Sequence, residues 1–207
     1  MPQQIKATRM EYLRLRKRLA LARRGHKLLK DKLDGLIQKF LILIKEYRNL
    51  KTEGDDKLTH IFTQMAIASS LMSKEILEES IMLPNYKTEI QIETQNIMGV
   101  KIPKFTAQTA GNPICYSLAF TPSELDQASL DLADFLPKLI KLAQTNKAIE
   151  LLAAHISEIK RRVKALEYIL IPELENAVKF IRMKLAEIER GNIVALLKIK
   201  DLVRAKI

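Results

Sequence analysis

The chain has 207 residues, of which 47% are hydrophobic and 29% are charged, and its formal net charge is +11. This composition excludes an intrinsically disordered chain, because it supplies enough apolar side chains for a buried core. The longest uninterrupted apolar runs contain five residues, whereas a membrane-spanning helix needs roughly 20, so neither a membrane span nor a signal peptide is expected.

The N-terminal region, 1–55, is predicted to form one long helix. From Ile5 to Leu50, apolar residues recur at alternating steps of three and four, which is the spacing of a buried coiled-coil seam. Gly25 and Gly35 lie inside this stretch, and each costs about 1 kcal/mol of helix stability relative to alanine, so the periodicity must outweigh them. The seam residues predicted here are Leu15, Leu19, Leu29, Leu33, Leu36, Phe40 and Leu43.

Region 56–84 is interpreted as a helical continuation. Helical spacing of apolar residues resumes after Gly54 and stops at Pro84, which has no amide hydrogen to continue a helix. The sequence leaves open whether the first helix runs through Gly54 or restarts there.

In region 85–120 the apolar period changes to two. Ile90, Ile92 and Thr94 alternate with polar residues, which predicts a strand with one buried face. Glycine and proline residues follow, and a second strand is predicted around Ile114 and Tyr116, extending to Leu118. The region is therefore interpreted as a small β-hairpin insertion with a long, irregular tip.

Region 121–147 is predicted to be a helix. It starts at Thr121, a capping residue, with Pro122 in the first turn. Pro137 lies inside this helix and is expected to kink or divide it.

Region 148–207 is predicted to be the second long helix, with its own apolar seam. Pro172 removes one backbone hydrogen bond, so a local bend is expected near Tyr168. Pairing the two seams gives the predicted fold class: mainly α, a long antiparallel two-helix coiled coil formed by the N- and C-terminal helices, with a small β-hairpin insertion in the middle. The seam residues predicted in this region are Val163, Leu166, Leu170, Leu174, Ile181, Leu185 and Ile188.

No catalytic, cofactor-binding or metal-ligating residues are predicted. His26, His60 and His155 are far apart in the sequence and have no cysteine or carboxylate cluster at ligand spacing, and phosphate-binding glycine motifs are absent. His26 falls on the seam, where a polar residue commonly fixes the register of two helices, and Asn192 invites the same interpretation. The chain is therefore expected not to be an enzyme by itself.

Positive charge is concentrated near the N-terminus. Between Ile5 and Lys32 there are eleven Lys or Arg residues against two acidic ones. Such a block favours an acidic partner, which could be nucleic acid, an anionic membrane surface or a negatively charged protein cavity; a solvated helix face is the simpler alternative. Antiparallel pairing would place both termini at the same end, so this block is expected near Lys198, Lys200 and Arg204.

Two segments resemble a known family. Residues 22–32 (ARRGHKLLKDK) and 161–172 (RRVKALEYILIP) are similar to signatures in the first and last helices of the D subunit of V-type and A-type rotary ATPases. Residues 96–103 (NIMGVKIP) and 136–143 (LPKLIKLA) also match, less closely. The similarity covers essentially the whole chain in the same order.

The resemblance implies a non-catalytic rotor shaft in the central stalk of a V/A-type ATPase. In this family the shaft transmits torque between ATP hydrolysis or synthesis in the head and translocation of H⁺ or Na⁺ in the membrane rotor. The implied partners are the A and B subunits of the head, the F subunit of the central stalk, and the C/d subunit, which links the shaft to the rotor ring. The implied location is cytoplasmic and peripheral to the membrane, which the lone Cys115 also favours.

The basic residues at the shared end of the predicted helix pair are the candidates for contact with acidic loops of the head. They are Arg14, Arg16, Arg23, Arg24, Lys27, Lys198, Lys200 and Arg204. The alternative function is a basic coiled-coil protein that binds nucleic acid or acts as a scaffold, because an isoelectric point near 9.7 suits phosphate contacts. The absence of a nucleic-acid-binding motif and the scarcity of aromatic residues argue against it. Neither the ion nor the direction of catalysis follows from the sequence.

Overall fold

The computed structural model describes residues 7–82, 85–117 and 121–204. Within these ranges the chain is mainly helical, and a two-stranded antiparallel hairpin lies between the long N-terminal and C-terminal helices, which confirms the predicted fold class. The elements are α1 (Arg9–Leu71), α2 (Lys74–Met82), β1 (Lys87–Ile97), β2 (Val100–Ala110), α3 (Ser123–Ala165), a π-helical turn (Leu166–Leu170) and α4 (Ile171–Arg204).

The chain divides into two compact units. The first unit consists of Met1–Asp34 and Ser157–Ile207, and the second unit is Gly35–Ile156. The start of α1 and all of α4 therefore belong to the first unit, whereas the hairpin and most of α3 belong to the second.

In the first unit, α1 and α4 run antiparallel. Arg9 forms an ion pair with Glu189, and Arg23 forms one with Glu175. Residue numbers on α4 therefore decrease as those on α1 increase, as antiparallel helices require. Four buried side chains form the core between these helices, with partly buried neighbours packed around them. The four are Leu15, Ala22, Leu174 and Ile181.

Pro172 produces a π-helical turn rather than a break. Because proline has no amide hydrogen, the carbonyl of Tyr168 loses its usual donor four residues later. The amide of Ile171 instead donates to the carbonyl of Leu166, five residues earlier, which is the π-helical pattern. The irregularity expected near Tyr168 therefore takes this form.

In the second unit, α1 continues through Gly54 without interruption to Leu71. Gly54 is buried, and a Cβ added to it would lie 3.3 Å from Cζ of Phe135 and 3.7 Å from Cδ1 of Leu142. The glycine at this position thus allows α1 to lie close to α3, which answers the question that the sequence left open.

The hairpin differs from its prediction in its second strand. Strand β2 follows β1 directly, across a two-residue turn at Met98 and Gly99, whose φ angles are 51° and 91°. Two positive φ angles are typical of a type I′ turn, which matches the twist of the paired strands. The prediction of a long tip, with a second strand through Ile114 and Tyr116, is therefore wrong. The last residue of that predicted strand, Leu118, lies outside the described residues.

Helix α3 differs from its prediction in two respects. Of the two outcomes expected at Pro137, a kink or a division, the division does not occur, because the helix runs through Pro137, which lies on an exposed part of it. It also continues past the predicted boundary at 147/148 to Ala165. Its buried side chains in the second unit include Leu125, Phe135 and Leu152.

Candidate functional site

The predicted seam residues differ in burial along the chain. On α1, Leu15 and Leu36 are buried, and the others are partly buried: Leu19, Leu29, Leu33, Phe40 and Leu43. In the C-terminal part, Val163, Leu174 and Ile181 are buried, and Leu166, Leu170 and Leu185 are partly buried.

Ile188 departs from this pattern, because its side chain is 51% exposed. The neighbouring residue Glu189 pairs with Arg9, the residue at which α1 begins. Ile188 therefore lies beside the first residues of α1. The assignment of Ile188 to the buried seam is corrected.

Ion pairs flank the buried core of the first unit. A guanidinium nitrogen of Arg9 lies 2.7 Å from a carboxylate oxygen of Glu189, and the corresponding distance from Arg23 to Glu175 is 2.6 Å. Both pairs are substantially exposed, so each contributes only about 0–1 kcal/mol. Sequence reasoning missed Glu175 and Glu189; the signal that could have found them is an acidic residue on α4 opposite each cation in an antiparallel register.

His26 lies beside the π-helical turn. Its Nε2 is buried, makes no hydrogen bond, and is 3.8 Å from a carboxylate oxygen of Glu167. This placement at the helix–helix contact is compatible with the proposed role in setting register. Asn192, in contrast, is exposed on α4, so the same interpretation does not apply to it.

The eight candidate contact cations fall into two groups that are separated along the first unit. The first group lies on α1 and all five of its residues are exposed: Arg14, Arg16, Arg23, Arg24 and Lys27. The Arg9–Glu189 and Arg23–Glu175 ion pairs lie on either side of most of this group. Lys198, Lys200 and Arg204 are exposed on the last turns of α4.

The two groups are not adjacent, which corrects the expectation that they lie together. Lys198 is nine residues beyond Glu189, or about 13 Å along the helix axis, and the cations of α1 extend from Arg9 in the opposite direction. The reason is that α4 continues past the residue that pairs with the start of α1.

The last part of α4 has an unusual surface. Every residue of 186–204, named here the distal segment, is exposed. Eight large apolar side chains in this segment are more than half exposed: Ile188, Ile193, Val194, Leu196, Leu197, Ile199, Leu202 and Val203. Single exposed apolar residues are ordinary, but eight of them within one 19-residue helical segment favour an interaction surface.

The apolar side chains of the distal segment do not form a single stripe. Ile193 and Leu202 are nine residues apart, which is two and a half helical turns, so they point to opposite sides. One partner helix could therefore not cover both. A helix that is apolar on opposite sides is suited to being surrounded.

Comparison with known proteins decides the family. The family model described as the D subunit of ATP synthase matches residues 11–201. The chain belongs to this family.

Full-length relatives agree with the family match. The chain is 46% identical over 201 residues to the V-type ATP synthase D subunit of Thermoanaerobacter sp. (strain X514), covering 96% of each chain. It is 46% identical over 202 residues to the D subunit of Acetivibrio thermocellus, covering 96% of this chain and 91% of the relative. It is 42% identical over 207 residues to that of Clostridium botulinum (strain ATCC 19397 / Type A), covering 98% of this chain and 96% of the relative.

Family membership fixes the broad role. The chain is a non-catalytic, central-stalk subunit of a V/A-type ATPase complex, and the alternative of a nucleic-acid-binding or scaffold protein is not favoured. Over the described ranges, the structure contains no helix with a long enough apolar stretch to span a bilayer.

Proposed function

We propose that this chain is the rotor shaft of its complex and transmits torque between ATP hydrolysis or synthesis in the head and translocation of H⁺ or Na⁺ in the membrane rotor. The observation that carries the proposal is the first unit itself: two antiparallel helices with a buried seam, from which an apolar distal segment extends. The proposed role depends on the surfaces of the helix pair and of the distal segment, because a shaft does not itself catalyse a reaction.

The distal segment is the part we assign to the head. Its 19 residues correspond to about 28 Å of helix, and their apolar side chains on opposite sides require a partner that encloses them. A ring of alternating A and B subunits provides such an enclosure. Burying these side chains in the ring would remove from water the apolar surface that the isolated chain exposes.

The paired helices below the distal segment are the part we assign to torque transmission. Within the first unit, seam residues such as Leu15, Leu174 and Ile181 join α1 to α4, and a packed pair of helices resists twisting better than one helix does. The cations Arg14, Arg16, Arg24 and Lys27 would face acidic loops of the head. Because each exposed ion pair is worth only about 0–1 kcal/mol, such contacts guide the shaft without holding it in one orientation.

Two further partners belong to the proposal. The F subunit would bind the side of the shaft, and the C/d subunit would connect it to the membrane rotor ring. The chain would then be cytoplasmic and associated with the membrane only through the complex.

Reconstitution with the isolated catalytic head tests this function. Mixing the chain with a head of A and B subunits should give one chain per head, measured by native mass spectrometry, and should change the rate of ATP hydrolysis. A reversible disulfide between a cysteine placed in the distal segment and one placed in the surrounding ring should stop turnover, and reduction should restore it.

Two variants make the test specific. Leu196→Asp should prevent assembly, because a carboxylate would be buried without a partner, whereas Arg16→Ala should have a mild effect because many weak contacts act together. Normal turnover while the disulfide is intact would contradict rotation of this chain, even if the complex assembles.

A further inference from the structure

We propose that the outer edge of β1 is a docking site for an extended strand of a partner protein, in which apolar residues alternate with Lys or Arg. The site lies on the hairpin of the second unit, whereas the distal segment and the paired helices, to which torque transmission was assigned, belong to the first unit. The inference therefore goes beyond the proposed function and does not depend on it.

The turn determines which backbone groups of β1 point outward. Ile97 and Val100 flank the two-residue turn and pair with each other, and the residues that close such a turn exchange both hydrogen bonds. Hydrogen-bonded and non-hydrogen-bonded pairs alternate along an antiparallel ladder. Every second residue of β1, counting back from Asn96, therefore directs its backbone N–H and C=O away from β2. The outward-pointing residues of β1 are Thr88, Ile90, Ile92, Thr94 and Asn96.

An independent contact supports this assignment. Phe105 lies opposite Ile92, and its amide donates to Oε1 of Gln144 on α3 at 2.9 Å. An amide that reaches α3 cannot also bond across the ladder to β1. The pair of Ile92 and Phe105 is therefore a non-bonded one, as counting from the turn requires.

The outer edge of β2 is closed to a further strand. Pro103 occupies an outward position and has no amide hydrogen, which is the position where a strand tolerates proline. Two residues later, the outward amide of Phe105 is bonded to Gln144. Any strand added to this side of the hairpin would lack two consecutive donors.

The outer edge of β1 is open by the same criteria. β1 is 11 residues long, contains no proline, and pairs with β2 without a bulge, whereas natural edge strands are usually shortened, bulged or blocked by proline or inward charge. Within the described residues, no hydrogen bond reaches its outward amides. Five successive outward positions thus offer a donor and an acceptor each.

Side chains along β1 determine the chemistry of the added strand. Ile90 and Ile92 share one face of the hairpin and are 50% and 69% exposed, so a neighbouring strand would place apolar residues beside them. Glu89 and Glu93 lie on the opposite face and are also exposed; Glu93 is 4.0 Å from the ammonium of Lys104 on β2, whereas Glu89 has no ion pair among the described residues. Cationic residues of the added strand would pair with these carboxylates, because opposite charges on adjacent strands are favourable.

A second copy of this chain is a poorer occupant. Its own β1 carries two glutamates and only one lysine, Lys87, so it supplies fewer cations than carboxylates to the glutamates of the first copy, and two chains of net charge +11 repel each other. A partner strand that carries Lys or Arg satisfies both the backbone edge and the carboxylates.

Amide hydrogen exchange measured by NMR on the full isolated chain tests the site directly. The probe is a seven-residue peptide of alternating valine and lysine, and its control is the same peptide with the central valine replaced by proline. At about 90% occupancy, the alternating peptide should slow exchange at Ile90, Ile92 and Thr94 about tenfold. The ladder amides of Gln91 and Glu93 are bonded in the free protein and should change little.

Two protein variants separate docking through the backbone from nonspecific attraction. Ile92→Pro removes one outward donor that the hairpin itself does not use, so it should abolish peptide binding while the ladder amides stay protected. Ile92→Thr keeps that donor and should still bind the peptide, somewhat more weakly. If Ile92→Pro unfolds the hairpin, Glu93→Lys replaces it and should weaken binding of the basic peptide.

Three results would overturn the proposal. The first is no slowing at the outward amides with the alternating peptide up to about 1 mM, the affinity limit at which docking ceases to be meaningful. The second is equal slowing with the proline-containing peptide. The third is slowing that grows with protein concentration in the absence of peptide, which would identify a second copy as the occupant.

Discussion

The two ends of α4 carry the same kind of side chains in opposite environments. Near Leu174 and Ile181 the apolar residues are buried against α1, whereas in the distal segment the apolar periodicity continues but every residue is exposed. An apolar pattern thus reports which side chains favour burial, and not which element covers them. In the first case α1 covers them, and in the second we assign the cover to another protein.

The largest expected effect comes from comparing one isoleucine in each part of α4. Ile181 is fully buried and Ile199 is 56% exposed. Ile181→Ala should lower the free energy of unfolding by about 2–5 kcal/mol through the lost contacts and the cavity, and Ile199→Ala should change it by less than about 0.5 kcal/mol. Urea denaturation of the isolated chain measures both. Equal losses would mean that the distal segment is covered within the isolated chain.

A comparison of two glycines of α1 should give a smaller difference. A Cβ at Gly25 meets nothing within 4 Å, whereas one at Gly54 meets Phe135 and Leu142. Gly25→Ala should stabilise the protein by about 0.5–1 kcal/mol because alanine favours the helix. Gly54→Ala should be less stable than Gly25→Ala by about 1–3 kcal/mol because of overpacking. Thermal unfolding of the two variants measures the difference, and identical shifts would disprove the close contact between α1 and α3.

Removal of an ion pair beside the paired part of α4 should have a smaller effect still. Arg23→Ala removes the partner of Glu175 and should reduce stability by at most about 1 kcal/mol. The loss should shrink as salt is raised, because screening weakens exposed pairs. Arg24→Ala is the matched control, since Arg24 is an exposed neighbour with no ion pair in the described part of the chain. A loss for Arg23→Ala that is independent of salt would indicate a packing role instead.

Removal of residues 191–207 should have the smallest effect on folding. The described residues of this stretch are all exposed, so the midpoint of thermal unfolding should stay within about 2 °C of that of the full chain. The same truncation should prevent stable assembly with the catalytic head when the two are mixed. A large fall in the midpoint would show that the truncated residues support the fold.

The hairpin shows where sequence reasoning succeeded and failed within one short region. The alternation of Ile90 and Ile92 with polar residues identified β1. Pro103 is one of the glycine and proline residues that led to the prediction of an irregular tip, yet it lies within β2 because its nitrogen occupies an outward edge position where no amide hydrogen is needed. Gln144, which bonds the next outward amide, is 39 residues away from Phe105 in sequence, so no local pattern could have indicated that contact.

The sequence by itself determined the helical character, the apolar sides of the long helices, the position of the backbone irregularity before Pro172 and the family. Only the tertiary structure decided that α1 passes through Gly54, that α4 extends beyond its partner, and that one edge of the hairpin is closed while the other is open. The physical reason is that helix periodicity and backbone donors are local properties, whereas coverage of a surface depends on which distant residues meet it.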